Sequence, residues 1–233
     1  MNIIEMKNVL KAYKSGDNTL YALRDVNLEI EEGKFVVILG PSGAGKSTLL
    51  NILGGLDQST EGKTIVDNKD ISTLNNNELA EYRANKVGFI FQFYNLIPTL
   101  TVYENVALVN QISPNHLDAK EILNEVGLGK HLNHFPSQLS GGEQQRVSIA
   151  RAVAKNPKII LCDEPTGALD SETGVLVLNL LLKMAKEHGK TIIIVTHNQN
   201  IAKMADVVIK VRSGKIRSIE KQENPLSAEE VEW

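Results

Sequence analysis

Five consecutive apolar residues, Phe35-Val36-Val37-Ile38-Leu39, run straight into Gly40-Pro41-Ser42-Gly43-Ala44-Gly45-Lys46-Ser47, and no other feature restricts the fold as strongly. An unbroken apolar run of this length suits a strand buried on both faces of a parallel sheet. The glycines that follow let the backbone curl so that its N–H groups converge on one point. Lys46 to Leu53 then reads as a helix whose positive N-terminal end faces the same point. Strand, glycine-rich loop and helix in this order predict a phosphate-binding loop. Lys46 is placed to reach β- and γ-phosphates, and the Ser47 hydroxyl to ligate Mg²⁺. The bland alternative is a glycine turn with a surface lysine. The buried strand before it and the helix after it favour the loop.

The rest of the chain supports an α/β core. Ile159-Ile160-Leu161-Cys162 and Ile192-Ile193-Ile194-Val195 repeat the buried-strand pattern. Between them a long apolar helix runs from about Ser171 to Glu187 and stops at Gly189. Strand–helix–strand alternation predicts a parallel sheet. Leu23, Val26, Leu28 and Ile30 predict early strand structure. Val207–Val211 and Ile216–Ile219 predict short strands joined at Ser213-Gly214. From about Phe93 to Ala154 the pattern is helical, with capping boxes at Thr101/Glu104 and Ser140/Glu143. Ser227 with Glu230 predicts a small acidic helix near Trp233. The expected division is a first part of the core (1–92), a helical insertion (93–155), a second part of the core (156–220) and a short acidic tail (221–233).

Composition narrows the function. The 233 residues suffice for one sizeable domain. A net charge of −3 gives no overall pull toward nucleic acid, and no nucleic-acid partner is expected. Cys162 stands alone, so no intrachain disulfide can form, which fits a reducing compartment. No apolar run approaches the ~20 residues that span a bilayer. Charge interrupts the N-terminus too early for the core of a signal peptide. The expected location is therefore the cytosol, unless a partner holds the chain at a membrane. Cys162 reads as a core residue. His131 and His134 have helical spacing but no third ligand. The acidic stretch Glu220 to Glu232 reads as a solvated face.

Two further segments carry chemistry. Ile159–Cys162 delivers Asp163-Glu164 at a strand's carboxyl end, where ligands sit in open α/β sheets. Asp163 is placed to hold Mg²⁺ through its water shell, and Glu164 to polarise an attacking water. Leu139-Ser140-Gly141-Gly142-Glu143-Gln144-Gln145-Arg146 is a second helix start rich in glycine, hence a second anion site or simply a capped helix.

This last segment, continuing into Val147, is similar to the signature of ABC-type ATPases, and the resemblance spans nearly the whole chain. It implies a P-loop ATPase core with an N-terminal antiparallel β subdomain and an inserted helical subdomain. It implies ATP with Mg²⁺, bound by the loop from Gly40 through Ser47 and Thr48. Tyr13 resembles the aromatic residue that stacks on adenine. Gln92 resembles the glutamine that contacts Mg²⁺ and water. Ala168-Leu169-Asp170 resembles the loop that couples two subunits, and His197 the switch histidine that contacts the γ-phosphate. In such proteins Ser140, Gly141 and Gly142 serve the nucleotide of a second copy, so an ATP-dependent homodimer is implied.

Within the family, Gly88–Gln92, Tyr94–Val102, Leu50–Asp57 and Pro165–Asp170 resemble lipoprotein-release and macrolide-export cassettes. Antimicrobial-peptide resistance cassettes share much of this pattern, and cell-division cassettes less of it. The implied partner is a separate permease with few membrane helices and a large extracellular domain, with an accessory envelope protein as a further partner. The chain would then sit on the cytoplasmic face of the membrane. Two rival readings stand beside this one. The first is a soluble ABC ATPase acting on DNA or ribosomes, and the second a regulatory subunit that transports nothing.

Overall fold

The computed structural model describes residues 1–231, so Trp233 lies outside the described residues. The chain opens with a long hairpin, β1 (Asn2–Ser15) and β2 (Asn18–Glu31), turning at Gly16. Val26, Leu28 and Ile30 alternate inward along β2 as a sheet covered on one face requires. β3 (Phe35–Leu39) is buried throughout and leads through the glycine loop into α1 (Lys46–Leu53). β4 (Glu61–Val66) and β5 (Lys69–Asp70) form a tight hairpin. Asp67 and Asn68 at its turn both have positive φ, which polar Asp and Asn tolerate best among non-glycine residues.

α2 (Asn76–Lys86) starts at a capping box between Asn75 and Glu78, and is followed directly by β6 (Val87–Ile90). The helical stretch holds α3 (Val102–Ala107), α4 (Ala119–Glu125) and α5 (Gly141–Ala154), and both expected capping boxes are formed. The chain then returns to the sheet through β7 (Ile159–Asp163), α6 (Ser171–Lys186), β8 (Thr191–Thr196), β9 (Val207–Arg212) and β10 (Lys215–Lys221).

There are two sheets. The smaller has the order β2-β1-β4-β5 and is antiparallel. The larger has the order β10-β9-β3-β8-β7-β6; its strands are parallel except for β10 at one edge. β3 shows how the layers assemble. Phe35, Val37 and Leu39 point into a core shared with α5, α6 and the helical stretch. Val36 and Ile38 point the other way, into a core shared with α1 and the antiparallel sheet. An all-apolar strand is what two covered faces demand. Asn105 of α3 is fully buried; its side-chain amide donates to the carbonyls of Ile97, Leu100 and Thr101 and accepts from Ile97 N–H, which pins that loop.

Three expectations need correction. The acidic stretch is not simply a solvated face: Ala228 and Val231 are buried in the core beside α6, and Asn179 of α6 holds Glu229. The Ser227/Glu230 box forms, but it starts only a single 3₁₀ turn, Ala228–Glu230. His131 and His134 lie in turns rather than on one helix face, with ring centroids 4.9 Å apart. Among the described residues no group of three or more side chains is arranged to hold a metal ion. Cys162 is fully buried, and burial pushes its thiol pKa up, away from reactivity.

Candidate nucleotide site

Four adjacent parallel strands bring their carboxyl ends to one edge of the sheet. Leu39 lies opposite Thr196, Asp163 opposite Val195, and Ile90 opposite Cys162. The residues that follow these strands, Gly40, His197, Glu164 and Gln92, therefore gather at one crevice, where ligands enter open α/β sheets.

The loop after β3 is packed by main chain on two sides. Gly45 takes φ 101° at the start of α1, and a Cβ there would sit 2.5 Å from the Ala22 carbonyl oxygen. A Cβ on Gly40 would come within 2.3 Å of the Val211 carbonyl. Neither position admits a side chain without moving backbone. The β9–β10 turn buttresses the loop as well: Gly214 N–H donates to the Ala44 carbonyl, and the Gly214 carbonyl accepts from Arg24 N–H. α1 has no side-chain cap, which leaves its first N–H groups open to a ligand. Lys46 is 9% exposed and donates to the carbonyls of Gly40 (2.8 Å) and Pro41 (3.1 Å). A cleft of about 730 Å³ opens beside the loop between Pro41, His197 and the β9–β10 hairpin, with Arg212 and Arg217 on its walls.

Acidic groups face the loop. Burial raises the Asp163 pKa and the neighbouring Glu164 charge adds to the rise; a hydrogen bond from Ser47 and the charge of Lys46 oppose it. Glu164 takes a left-handed φ of 48°, a strained conformation for this residue, costing on the order of 1–2 kcal/mol. Its carboxylate is held at both oxygens. Thr196 Oγ1 donates to Oε2 at 2.8 Å; His197 N–H and Nδ1 reach Oε1 at 3.1 and 2.8 Å. Because the carboxylate only accepts, Nδ1 of His197 carries the proton. Gln92 lies beside this group, its amide nitrogen 3.4 Å from where a Cβ on Gly167 would stand. Tyr13, on β1, directs its hydroxyl at Asp57, and Thr48 of α1 bears on the same oxygen.

Ser140, Gly141 and Gly142 form a second group. Ser140 caps α5: its hydroxyl donates to Glu143 Oε2 and accepts from Glu143 N–H. Asp170 caps α6, accepting from Thr173 N–H and Oγ1. Thr173 joins the two helix ends, since its methyl group stands 2.1 Å from where a Cβ on Gly142 would be. Buried Gln145 ties α5 to the Pro165 carbonyl, next to Glu164. Among the described residues no hydrogen bond links Ser140, Gly141 or Gly142 to the phosphate loop.

Residues 23–167 match the ABC transporter family. The chain is an ABC transporter ATP-binding cassette. An uncharacterised ABC transporter ATP-binding protein of Methanocaldococcus jannaschii is 49% identical over 228 residues, covering 94% of this cassette and 97% of the relative. That relative has been solved as a dimer in a post-hydrolysis state bound to ADP and Pi. It superposes with a TM-score of 0.87 at 46% identity, covering 95% of this cassette and 99% of that chain. The macrolide export ATP-binding/permease protein MacB of Aggregatibacter actinomycetemcomitans is 48% identical over 223 residues. The alignment takes in 94% of this cassette but about a third, 34%, of that relative. The cassette is an ABC-type ATPase.

Three contacts at the cassette's site had no local signal in sequence: Thr196 on Glu164, Thr173 over Gly142, and Gly214 under the phosphate loop. Each joins segments far apart in the chain. The second can be tested directly. Gly142→Ala should lower stability by about 1–3 kcal/mol, because the added methyl meets a Thr173 rotamer fixed by Asp170. Urea unfolding measures it, and Thr173→Ala in the same chain should recover most of the loss. A change below about 0.5 kcal/mol, within the range of ordinary surface substitutions, would mean Thr173 swings aside freely.

Proposed function

We propose that two copies of this cassette close head to tail around two molecules of MgATP and drive a separate permease from the cytoplasmic face of a membrane. The observation that carries the reading is the division of the site. One chain holds a loop, acids and histidine suited to phosphate, yet its second glycine-rich helix end caps itself and leaves that loop alone. A second copy, turned around, supplies Ser140, Gly141, Gly142 and Asp170 to the first copy's nucleotide, and receives the same in return. The dimeric form of the related cassette supports this arrangement.

Each residue then has a role. The loop N–H groups and Lys46 hold the β- and γ-phosphates, with Tyr13 under the adenine. The Ser47 hydroxyl, near enough to lower the Asp163 pKa, and the Asp163 carboxylate are the hard oxygen donors that Mg²⁺ takes. With Gln92 they would hold the ion, which neutralises charge on the transferring phosphoryl group. Glu164 accepts a proton from the attacking water, whose oxygen bonds to the γ-phosphorus as the bond to the ADP oxygen breaks. His197 is placed to follow the γ-phosphate, since its backbone and ring both rest on Glu164. Loss of phosphate removes the contacts that join the copies, and the dimer opens.

The export or force-transmitting type of permease, with few membrane helices and a large extracellular domain, is supported by the likeness to MacB. No helix among the described residues is long and apolar enough to cross a membrane. Next to Gln92, Phe93 is 76% exposed, an apolar contact suited to a membrane partner. The test is a pull-down from detergent-solubilised membranes with MgATP and tagged Glu164→Gln cassette. Recovery of a permease with about four spans and a large extracellular domain is expected. A many-helix permease overturns the export type. Recovery of ribosomal or DNA-bound proteins alone overturns the transporter reading.

A further inference from the structure

Tyr13 does not stand free at the edge of the site. Its hydroxyl donates to Asp57 Oδ2 at 2.7 Å, and Thr48 bears on the same phenol oxygen. The other Asp57 oxygen, Oδ1, accepts from Lys11 Nζ and from Gln58 N–H. Lys11 Nζ also donates to the Gln58 carbonyl, and its ammonium lies 4.8 Å from the centre of the Tyr13 ring. A cation over one face of an aromatic ring is attractive and leaves the opposite face for a planar partner. Tyr13 as a residue is 39% exposed.

Asp57 and Thr48 both belong to the neighbourhood of one helix. Thr48 is in the first turn of α1, directly after the phosphate loop. Asp57 lies on the turn that ends α1, where Leu56 N–H and Asp57 N–H donate to the Asn51 carbonyl. An eight-residue helix is about 12 Å long and rigid on this scale. The ring on β1 and the loop before α1 are therefore both tied to the same element, the ring through Asp57. Lys11 and Tyr13 are two apart on β1, so both side chains leave the same face of the strand.

We propose that Asp57, held by Lys11, is a positioning residue for the nucleotide base: it fixes the Tyr13 ring at a set distance from the phosphate loop. Asp57 touches no part of the nucleotide and acts through the Tyr13 hydroxyl. The inference rests on Tyr13 receiving the base, as argued above. A free tyrosine would have to give up ring rotation on binding; a ring already anchored at its hydroxyl does not.

The test compares two probes, MgATP and Mg-tripolyphosphate, which has the phosphates but no base. Affinities are measured by calorimetry for Asp57→Asn, Tyr13→Phe and the double variant. Each single change should weaken MgATP about five- to tenfold, the size of one ordinary intramolecular hydrogen bond. The double variant should be no weaker than the worse single one, because both remove the same link. Tripolyphosphate binding should not change. Equal losses for both probes would mean that Asp57 merely supports α1, and losses that multiply in the double variant would mean the two residues act separately; either result overturns the proposal. Tyr13→Ala separates the layers of the argument. If it weakens MgATP while Asp57→Asn does not, Tyr13 keeps its role and Asp57 loses this one. If it leaves MgATP affinity intact, the base-stacking reading itself falls.

Discussion

Glu164→Gln should lower the rate of ATP hydrolysis by about 10²–10⁴-fold while leaving MgATP affinity near that of the wild type. The amide keeps the shape of the carboxylate but cannot take the proton of the attacking water. Local structure should survive the change. The Gln oxygen can still accept from His197 N–H, and Thr196, whose hydroxyl already accepts from Asn198 N–H, can turn to meet the new NH₂ group. Without hydrolysis the γ-phosphate stays in place, so the variant should run as a dimer on a sizing column with MgATP and as a monomer without it. A monomer in MgATP would sink the composite site built from two copies. Hydrolysis at the wild-type rate would remove Glu164 from its role.

Lys46→Ala is expected to weaken MgATP binding roughly 10- to 100-fold, equivalent to about 1.5–3 kcal/mol for a hydrogen bond to a charged group. Among the described residues Lys46 donates to the Gly40 and Pro41 carbonyls, both on the loop. Nucleotide binding exchanges neutral carbonyl acceptors for charged phosphate oxygens, and that difference is what the substitution removes. Titration with a fluorescent ATP analogue measures it. Unchanged affinity would undo the phosphate-loop assignment. Unlike Glu164→Gln, this variant should give no nucleotide-stabilised dimer at concentrations where the wild type is saturated.

The parallel sheet was legible because its strands are covered on both faces, so that β3, β7 and β8 each appear in sequence as an unbroken apolar run. The caps at Thr101 and Ser140 are local, and their partners lie three residues away. α2 escaped notice for the opposite reason. Its residues are mostly polar, only Leu79 and Tyr82 are buried, and no apolar stripe marks it. The tail was misjudged because its acids outnumber the two small apolar residues, Ala228 and Val231, that seat it. Within the site, Glu164 and His197 could be named from their strand ends. The hydrogen bond between them, and the shared grip of Thr196, depend on how β7 and β8 align. No spacing within either segment encodes that alignment.

The packing of the phosphate loop bears on how fast such a protein can cycle. Ordering a backbone residue costs about 1–2 kcal/mol, so ordering Gly40–Gly45 amounts to on the order of 6–12 kcal/mol. Here the Ala22 and Val211 carbonyls and the β9–β10 turn, all groups of the protein itself, pack against that loop. The entropy is lost once, when the strands assemble, and not again at each arrival of nucleotide. Product departure likewise leaves the loop ready for the next molecule. Refilling such a site should then need no slow rearrangement of the loop itself.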